Sequence, residues 1–123
     1  MEKMPRPSDG TLSAFAAVAP GGPGAIQRKM FGQEAAFVNG NMFMGLFGDA
    51  FHVRLSPYDR AEVLALGGAP FAPGGRPMKE YVVLPEGVVT DESALRNWVG
   101  RAYAFGASLP AKEAKPRARK AAR

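Results

Sequence analysis

Apolar residues dominate the stretch from Met30 to Leu55, and two turn signals divide it into three strands. Asn39-Gly40 is typical of a type I′ hairpin, because both central residues of that turn need a positive φ. Gly48-Asp49 suits a two-residue type II′ turn. The pattern therefore predicts a meander of three antiparallel strands.

If both turns have two residues, alternation assigns each strand side chain to one face of the sheet. One face is uniformly apolar and has the pairs Phe37–Met42, Ala35–Met44, Met42–Leu55, Met44–Val53 and Leu46–Phe51. The other face is mixed and has the pairs Ala36–Phe43, Val38–Asn41, Phe43–Arg54, Gly45–His52 and Phe47–Ala50. A slip of one residue would exchange the two faces, so the assignment depends on the turns.

Capping and periodicity signals predict the elements around the meander. A first helix runs from Asp9 or Thr11 to Ala19, and a second begins at Ser56, where a proline and an acidic residue follow. Thr90 or Asp91 caps a last helix with an apolar stripe at helical spacing. The remaining predictions are strands over 25–31 and 78–84, a short extended piece over 69–72 and a turn over 73–77.

Helices and strands in this order indicate a two-layer α+β domain. We expect an antiparallel sheet with helices packed on one face, the more apolar one. Residues 1–110 form a single domain that is long enough to bury its own core.

Several motifs carry a resemblance to a known family. They are RKMFG at 28–32, AFVNGNMF at 36–43, GGAPF at 67–71, GRPMKEYVVLP at 75–85 and ALRNWV at 94–99. In this order they resemble the TfoX N-terminal domain family over roughly residues 10–109. The resemblance implies an α-β-β-β-α-β-β-α order, similar to secretion-chaperone-like folds, and a role like that of competence-gene coactivators, which act in transcription regulation. It supplies no catalytic motif, and a basic tail stands where full-length regulators of this kind have a second, helical domain.

The net charge of +5 lies entirely in the segment after Pro110. Its basic residues, which face a single glutamate, are Lys112, Lys115, Arg117, Arg119, Lys120 and Arg123. Because residues 111–123 have no large apolar side chain, we expect a disordered tail. These cations could bind nucleic acid without sequence specificity, by releasing counterions from phosphates. A tail that only improves solubility is the alternative.

The residues give little support to catalysis, so we expect a protein that is not an enzyme and has no cofactor. The chain has no cysteine and one histidine, His52, which leaves no conventional metal site or Cys-His pair. Nucleophile-elbow, phosphate-loop and dinucleotide-binding motifs are missing from the sequence. Without an apolar stretch of spanning length, we expect a cytoplasmic protein with no membrane contact.

Four methionines allow two interpretations. Thioethers bind soft metals such as Cu(I), but methionine also fills irregular gaps in cores. Core packing is favoured for Met30, Met42, Met44 and Met78, because two of them fall on the apolar face.

The mixed face holds the candidate binding residues, which are Phe43, Phe47, His52 and Arg54. Phenylalanine on a water-facing sheet surface suggests a site for a protein partner or a homodimer. Alternatively, the amino-terminal segment or a loop covers this face, with Arg54 stacked on Phe43. The sequence thus favours a regulatory module that works through protein–protein contacts, and a nonspecific nucleic-acid-binding protein is the alternative.

Overall fold

The computed structural model describes residues 5–30 and 32–112. Within this part of the chain, six strands form one antiparallel sheet in the order β1-β2-β3-β4-β6-β5. The elements are α1 (Asp9–Val18), β1 (Ile26–Met30), β2 (Gln33–Val38), β3 (Asn41–Phe47), β4 (Ala50–Arg54), α2 (Pro57–Ala65), β5 (Ala69–Pro70), β6 (Tyr81–Val83), α3 (Glu86–Val89) and α4 (Glu92–Ser108). The prediction of a two-layer α+β fold with an antiparallel sheet is confirmed.

The two hairpin turns have the predicted length of two residues. Asn39 and Gly40 have φ values of 52° and 78°, which a type I′ turn requires. Gly48 has a φ of 61°, in agreement with the first central position of a type II′ turn. These turns place β2, β3 and β4 side by side.

Helices α1, α2 and α4 begin at the predicted positions. The side-chain oxygens of Ser8 and Ser56 accept hydrogen bonds from backbone N–H groups in the first turns of α1 and α2. Asp91 caps α4, accepting from the N–H groups of Ser93 and Ala94 at 3.1 and 3.2 Å. The short helix α3 and a shorter β6 are the main departures from the predicted elements.

All four helices of the described chain pack on one face of the sheet. Phe15 from α1, Val63 from α2, Val88 from α3 and Trp98 from α4 join the same buried cluster as the inward side chains of the strands. The longest helix, α4, lies across β2, β3 and β4. We call the opposite surface the outer face.

A β-bulge in β3 changes the predicted faces. Ala36 pairs with Met44 and Phe37 with Met42, so β3 has one more residue than β2 at this point, and that residue is Phe43. Phe43 and Met44 are both 0% exposed and belong to the core under the helices. The prediction that placed Phe43 on the outer face is therefore wrong.

The bulge also moves Phe37 and Met42 to the outer face, away from the side of Met44. The predicted pair Ala35–Met44 is replaced by Ala35–Gly45. Beyond the bulge the prediction is correct, because Met44–Val53, Leu46–Phe51, Gly45–His52 and Phe47–Ala50 pair as expected.

Candidate functional site

The outer face carries an apolar groove with a volume of about 340 Å³. One wall is the sheet, and the other is the loop that joins β5 to β6. The lining residues are Met30, Gln33, Glu34, Ala35, Met42, Leu46, Phe47, His52, Phe71, Pro73, Gly74 and Met78. The volume lies within the range of about 300–1,000 Å³ that is typical of small-molecule sites.

His52, like Gln33, is an uncharged polar residue in the lining of this groove. The His52 side chain extends from β4 over Gly45. A Cβ atom added to Gly45 would lie 2.8 Å from His52 Cε1, so the ring needs a glycine at this position. The Phe71 ring stacks on the imidazole with centroids 4.0 Å apart. Only 4% of His52 is exposed, and its Nδ1 has no hydrogen-bond partner among the described residues. Burial lowers the pKa of His52 to about 3, so the ring is neutral at physiological pH.

The loop from Phe71 to Met78 covers part of the outer face, as one of the two alternatives proposed. The backbone N–H of Met78 donates to the carbonyl of Phe71 at 2.9 Å, which closes the loop on itself. Phe71 also contacts Phe47 edge to face, with centroids 6.1 Å apart. Phe71 and Met78 were missing from the predicted site, although both lie in the motifs that resemble the family.

Of the four candidate binding residues, Phe47, His52 and Arg54 lie on the outer face. Arg54 is engaged within the chain, since its Nε donates to Glu80 Oε1 at 2.8 Å and its guanidinium lies 5.7 Å from the Tyr81 ring centroid. The predicted stacking of Arg54 on Phe43 is wrong, because Phe43 lies under α4. Partner binding by Phe47, His52 and Arg54 stays a prediction.

The outward residues Ala35 and Phe37 of β2 are only 2% and 5% exposed, so the accessible apolar side chains of the outer face lie at its margins. Ile26 is 53% exposed, and Met78 of the opposite wall is 36% exposed. The Arg28 guanidinium lies 4.4 Å above the centroid of the Phe37 ring. Two exposed apolar side chains and a cation thus border the covered part of the outer face.

The methionines divide between the two faces. Met44 fills the core, as predicted, whereas Met30, Met42 and Met78 line the groove. Met30 is the cross-strand partner of Gln33, and Met42 is the partner of Phe37. Because Gln33 and Phe37 are four residues apart on β2, the two methionines are separated by about 13 Å along the direction of that strand. This separation does not suit one metal ion bound by both thioethers. In the described residues, no three His, Cys, Asp or Glu side chains come together as a metal site.

A second cavity of about 840 Å³ lies between α1, α3 and the start of α4. Asp49 lies at its margin, where it accepts from the Ser8 N–H at 2.7 Å and the Thr11 hydroxyl at 2.8 Å. These hydrogen bonds lower the pKa of Asp49 and fix the start of α1 to the β3–β4 turn. We therefore interpret the contacts of Asp49 as stabilising the fold.

The basic tail begins beside the β2–β3 hairpin. The backbone N–H of Lys112 donates to the Asn39 carbonyl at 2.7 Å, and the side chain of Asn41 donates to the Pro110 carbonyl at 3.2 Å. The other cations of the predicted nucleic-acid site, Lys115, Arg117, Arg119, Lys120 and Arg123, lie outside the described residues.

No helix in the described part of the chain combines the length and the apolar character needed to cross a membrane. Among curated proteins, none matches this sequence. The sequence model of the TfoX N-terminal domain matches residues 17–106, which include every strand of the sheet and most of α4. This match covers well over half of the chain and contains the motifs that carry the resemblance. The chain therefore belongs to the TfoX N-terminal domain family.

Proposed function

We propose that this chain is a cytoplasmic, non-enzymatic regulatory module that acts through protein–protein contacts on the outer face of its sheet. The family supports the regulatory part of this proposal, because TfoX N-terminal domains are linked to the regulation of competence. The geometry of the outer face supports the choice of the contact surface.

The exposed apolar side chains Ile26 and Met78 at the margins of the outer face are the observation that carries the proposal. Helices bury the other face of the sheet, and the loop from Phe71 to Met78 covers mainly the part over His52. Ile26, which pairs with Phe37, stays 53% exposed. Large exposed apolar side chains beside an apolar groove are typical of interaction sites in soluble domains.

The position of β1 offers a second mode of contact at the same place. β1 is terminal in the strand order of the described sheet, so one side of its backbone faces away from β2. A partner segment could add to this edge as a further strand, while its side chains reach the outer face next to Ile26.

A transcript profile tests the proposal in the organism that makes the protein. The gene is deleted and then restored as wild type, as Ile26→Glu or as Leu64→Glu. Leu64 is the matched control, because it is also apolar and 42% exposed but lies on α2, away from the outer face. We expect Leu64→Glu to restore the transcript profile and Ile26→Glu to fail.

Two results would contradict the proposal. Unchanged transcripts after deletion would argue against a regulatory role. Full restoration by Ile26→Glu would remove the outer face as the contact surface. The molar masses of wild type and Ile26→Glu, measured by light scattering, show in addition whether the contact is a homodimer. A dimeric wild type and a monomeric Ile26→Glu would indicate a dimer through this face.

The charge distribution favours one alternative function, nonspecific nucleic-acid binding. All of the excess positive charge follows Pro110, which suits electrostatic contact with phosphates. DNA titrations of the intact protein and of a form without residues 113–123 test this alternative. Tail-dependent binding that weakens steeply with salt supports it, and equal binding by both forms contradicts it.

A further inference from the structure

We propose that the outer-face groove binds a small amphipathic carboxylate, with its apolar body along the groove and its carboxylate on Arg28. This inference concerns a ligand of the isolated chain and does not depend on the protein contacts proposed above.

The shape of the groove favours an elongated ligand. Its lining reaches from Met30, opposite Gln33, to Met42, opposite Phe37, and so follows β2 for about 13 Å. Its width extends from β1 across the sheet to the loop wall at Phe71. A chain or a narrow aromatic molecule matches these dimensions better than a single ion does.

The lining offers apolar contact and little unsatisfied polarity. Met30, Met42 and Met78 have flexible side chains that adapt to an apolar ligand of varied shape. Gln33 is already paired, because its Nε2 donates to the Pro5 carbonyl at 2.8 Å and its Oε1 accepts from the Gly48 N–H at 3.2 Å.

Glu34 is one of the lining residues, but its carboxylate does not face an anionic ligand in the groove. It accepts from Gln27 Nε2 at 3.0 Å and lies 3.8 Å from the Lys29 ammonium. Lys29 and Glu34 are cross-strand partners, one residue away from the pair Arg28–Ala35, so they face the opposite side of the sheet. The body of the ligand therefore meets apolar groups and the neutral ring of His52.

Arg28 does not line the groove but lies beside it, where it is placed to receive the negative end of the ligand. It pairs with Ala35, a residue of the groove wall, and its guanidinium lies over Phe37, the partner of Met42. Within residues 5–30 and 32–112, Arg28 forms no ion pair, whereas Lys29 pairs with Glu34. A guanidinium held flat on an aromatic ring keeps its N–H edge free, and this edge binds carboxylates in a bidentate way.

The other end of the groove does not suit a charge. There the ligand would meet the Phe47 and Phe71 rings and a histidine that is only 4% exposed. Burying a carboxylate among these groups without a compensating cation would be strongly unfavourable. The ligand is thus oriented, with its carboxylate at Arg28 and its apolar end towards Phe47.

The test is a titration of the intact protein, labelled at the methionine methyl carbons, with octanoate and followed by NMR. Met30, Met42 and Met78 report on the groove, and Met44, which lies in the core on the other face, is an internal control. We expect saturable shifts of the three groove methyls and none of Met44. The neutral analogue 1-octanol should move the same methyls with an affinity about two- to fivefold weaker, because it lacks the ion pair.

Two variants with the same change of charge test the role of Arg28. Arg28→Gln should bring the affinity for octanoate down to that for 1-octanol. Lys29→Gln, one residue away on the other side of β1, should leave the preference for octanoate unchanged. Both side chains are exposed, so both variants should keep the fold.

Several results would overturn the inference. Groove methyls that do not shift at millimolar octanoate would show that the groove does not bind such ligands. Parallel shifts of Met44 would indicate unfolding or general partitioning into the protein. An unchanged octanoate preference in Arg28→Gln would remove Arg28 as the carboxylate site.

Discussion

Truncation of Phe43 tests the bulge that decides which residues face the groove. Phe43 is completely buried, contacts Tyr103 edge to face with centroids 5.7 Å apart, and lies beneath Gly106 of α4. A change from a buried phenylalanine to alanine costs about 3–5 kcal/mol, through lost transfer free energy and the cavity that remains. Since domains of this size are stable by about 5–15 kcal/mol, Phe43→Ala should lose a large part of the free energy of unfolding.

Urea unfolding followed by tryptophan fluorescence measures this loss. Trp98 is the only tryptophan and is 4% exposed in the same core, so its emission reports on global unfolding. With an m value of about 2 kcal/mol per M, a loss of about 4 kcal/mol lowers the urea midpoint by roughly 2 M. For a control variant with an unchanged m value, the shift of the urea midpoint likewise gives the change in free energy of unfolding.

Phe47→Ala is the matched control on the outer face. Its ring is only partly buried, so its truncation should cost about 1–2 kcal/mol. A loss of less than about 1 kcal/mol for Phe43→Ala, or a loss no larger than that of Phe47→Ala, would refute the bulge and restore the alternation without it.

Two further predictions concern His52 and the hairpin at Gly40. Burial lowers the pKa of His52 from 6.5 in the unfolded chain to about 3 in the folded protein. The unfolded chain therefore binds a proton first as the pH falls, and the folded state loses stability between pH 6.5 and about pH 3. In urea unfolding, the free energy of unfolding of wild type should fall by about 1.4 kcal/mol per pH unit relative to that of His52→Phe. Parallel plots of this free energy against pH for the two proteins would contradict the buried neutral ring. Gly40 and Gly24 both have a φ of 78°, but only at Gly40 would an added Cβ meet the Lys112 backbone. Gly40→Ala should therefore cost at least about 1 kcal/mol more than Gly24→Ala in the same assay, and equal costs would argue against the docking of residue 112 on the hairpin.

The hairpins and helix starts were predictable because their signals are local. Asn39-Gly40 requires positive φ at both positions, and Ser56 and Asp91 accept hydrogen bonds within their own first turns. Such features depend on a few neighbouring residues, and the sequence contains all of them.

The faces of β3 were not predictable in the same way. Alternation with a period of two assumes that each residue has one partner, and the extra residue Phe43 breaks this rule. Nothing in the residue types at 42–44 distinguishes the regular from the bulged pairing, because all three side chains are apolar. The packing of Phe43 against α4 decides it, and that contact joins residues far apart in the chain.

The covered state of His52 also depends on distant contacts. The motif at 67–71 ends in Phe71, but its stacking on His52 requires β5 to pair with β6 beside β4. Of the four candidates from the sequence, Phe47, His52 and Arg54 lie on the outer face, and the fold adds the groove, the loop wall and the exposed Ile26. The strands that carry the candidate residues were therefore predictable, and a covering loop was one of two alternatives, but the stacking of Phe71 on His52 was not predicted.

Photo-crosslinking in the native host tests the central claim, that the outer face is the contact surface of this regulatory module. A photoreactive amino acid replaces Ile26 on the outer face or, in a matched protein, Leu64 on α2. We expect a discrete crosslinked protein species from position 26, identifiable by mass spectrometry, and none of the same mass from position 64. Crosslinks to the same partner from position 64 alone would contradict it.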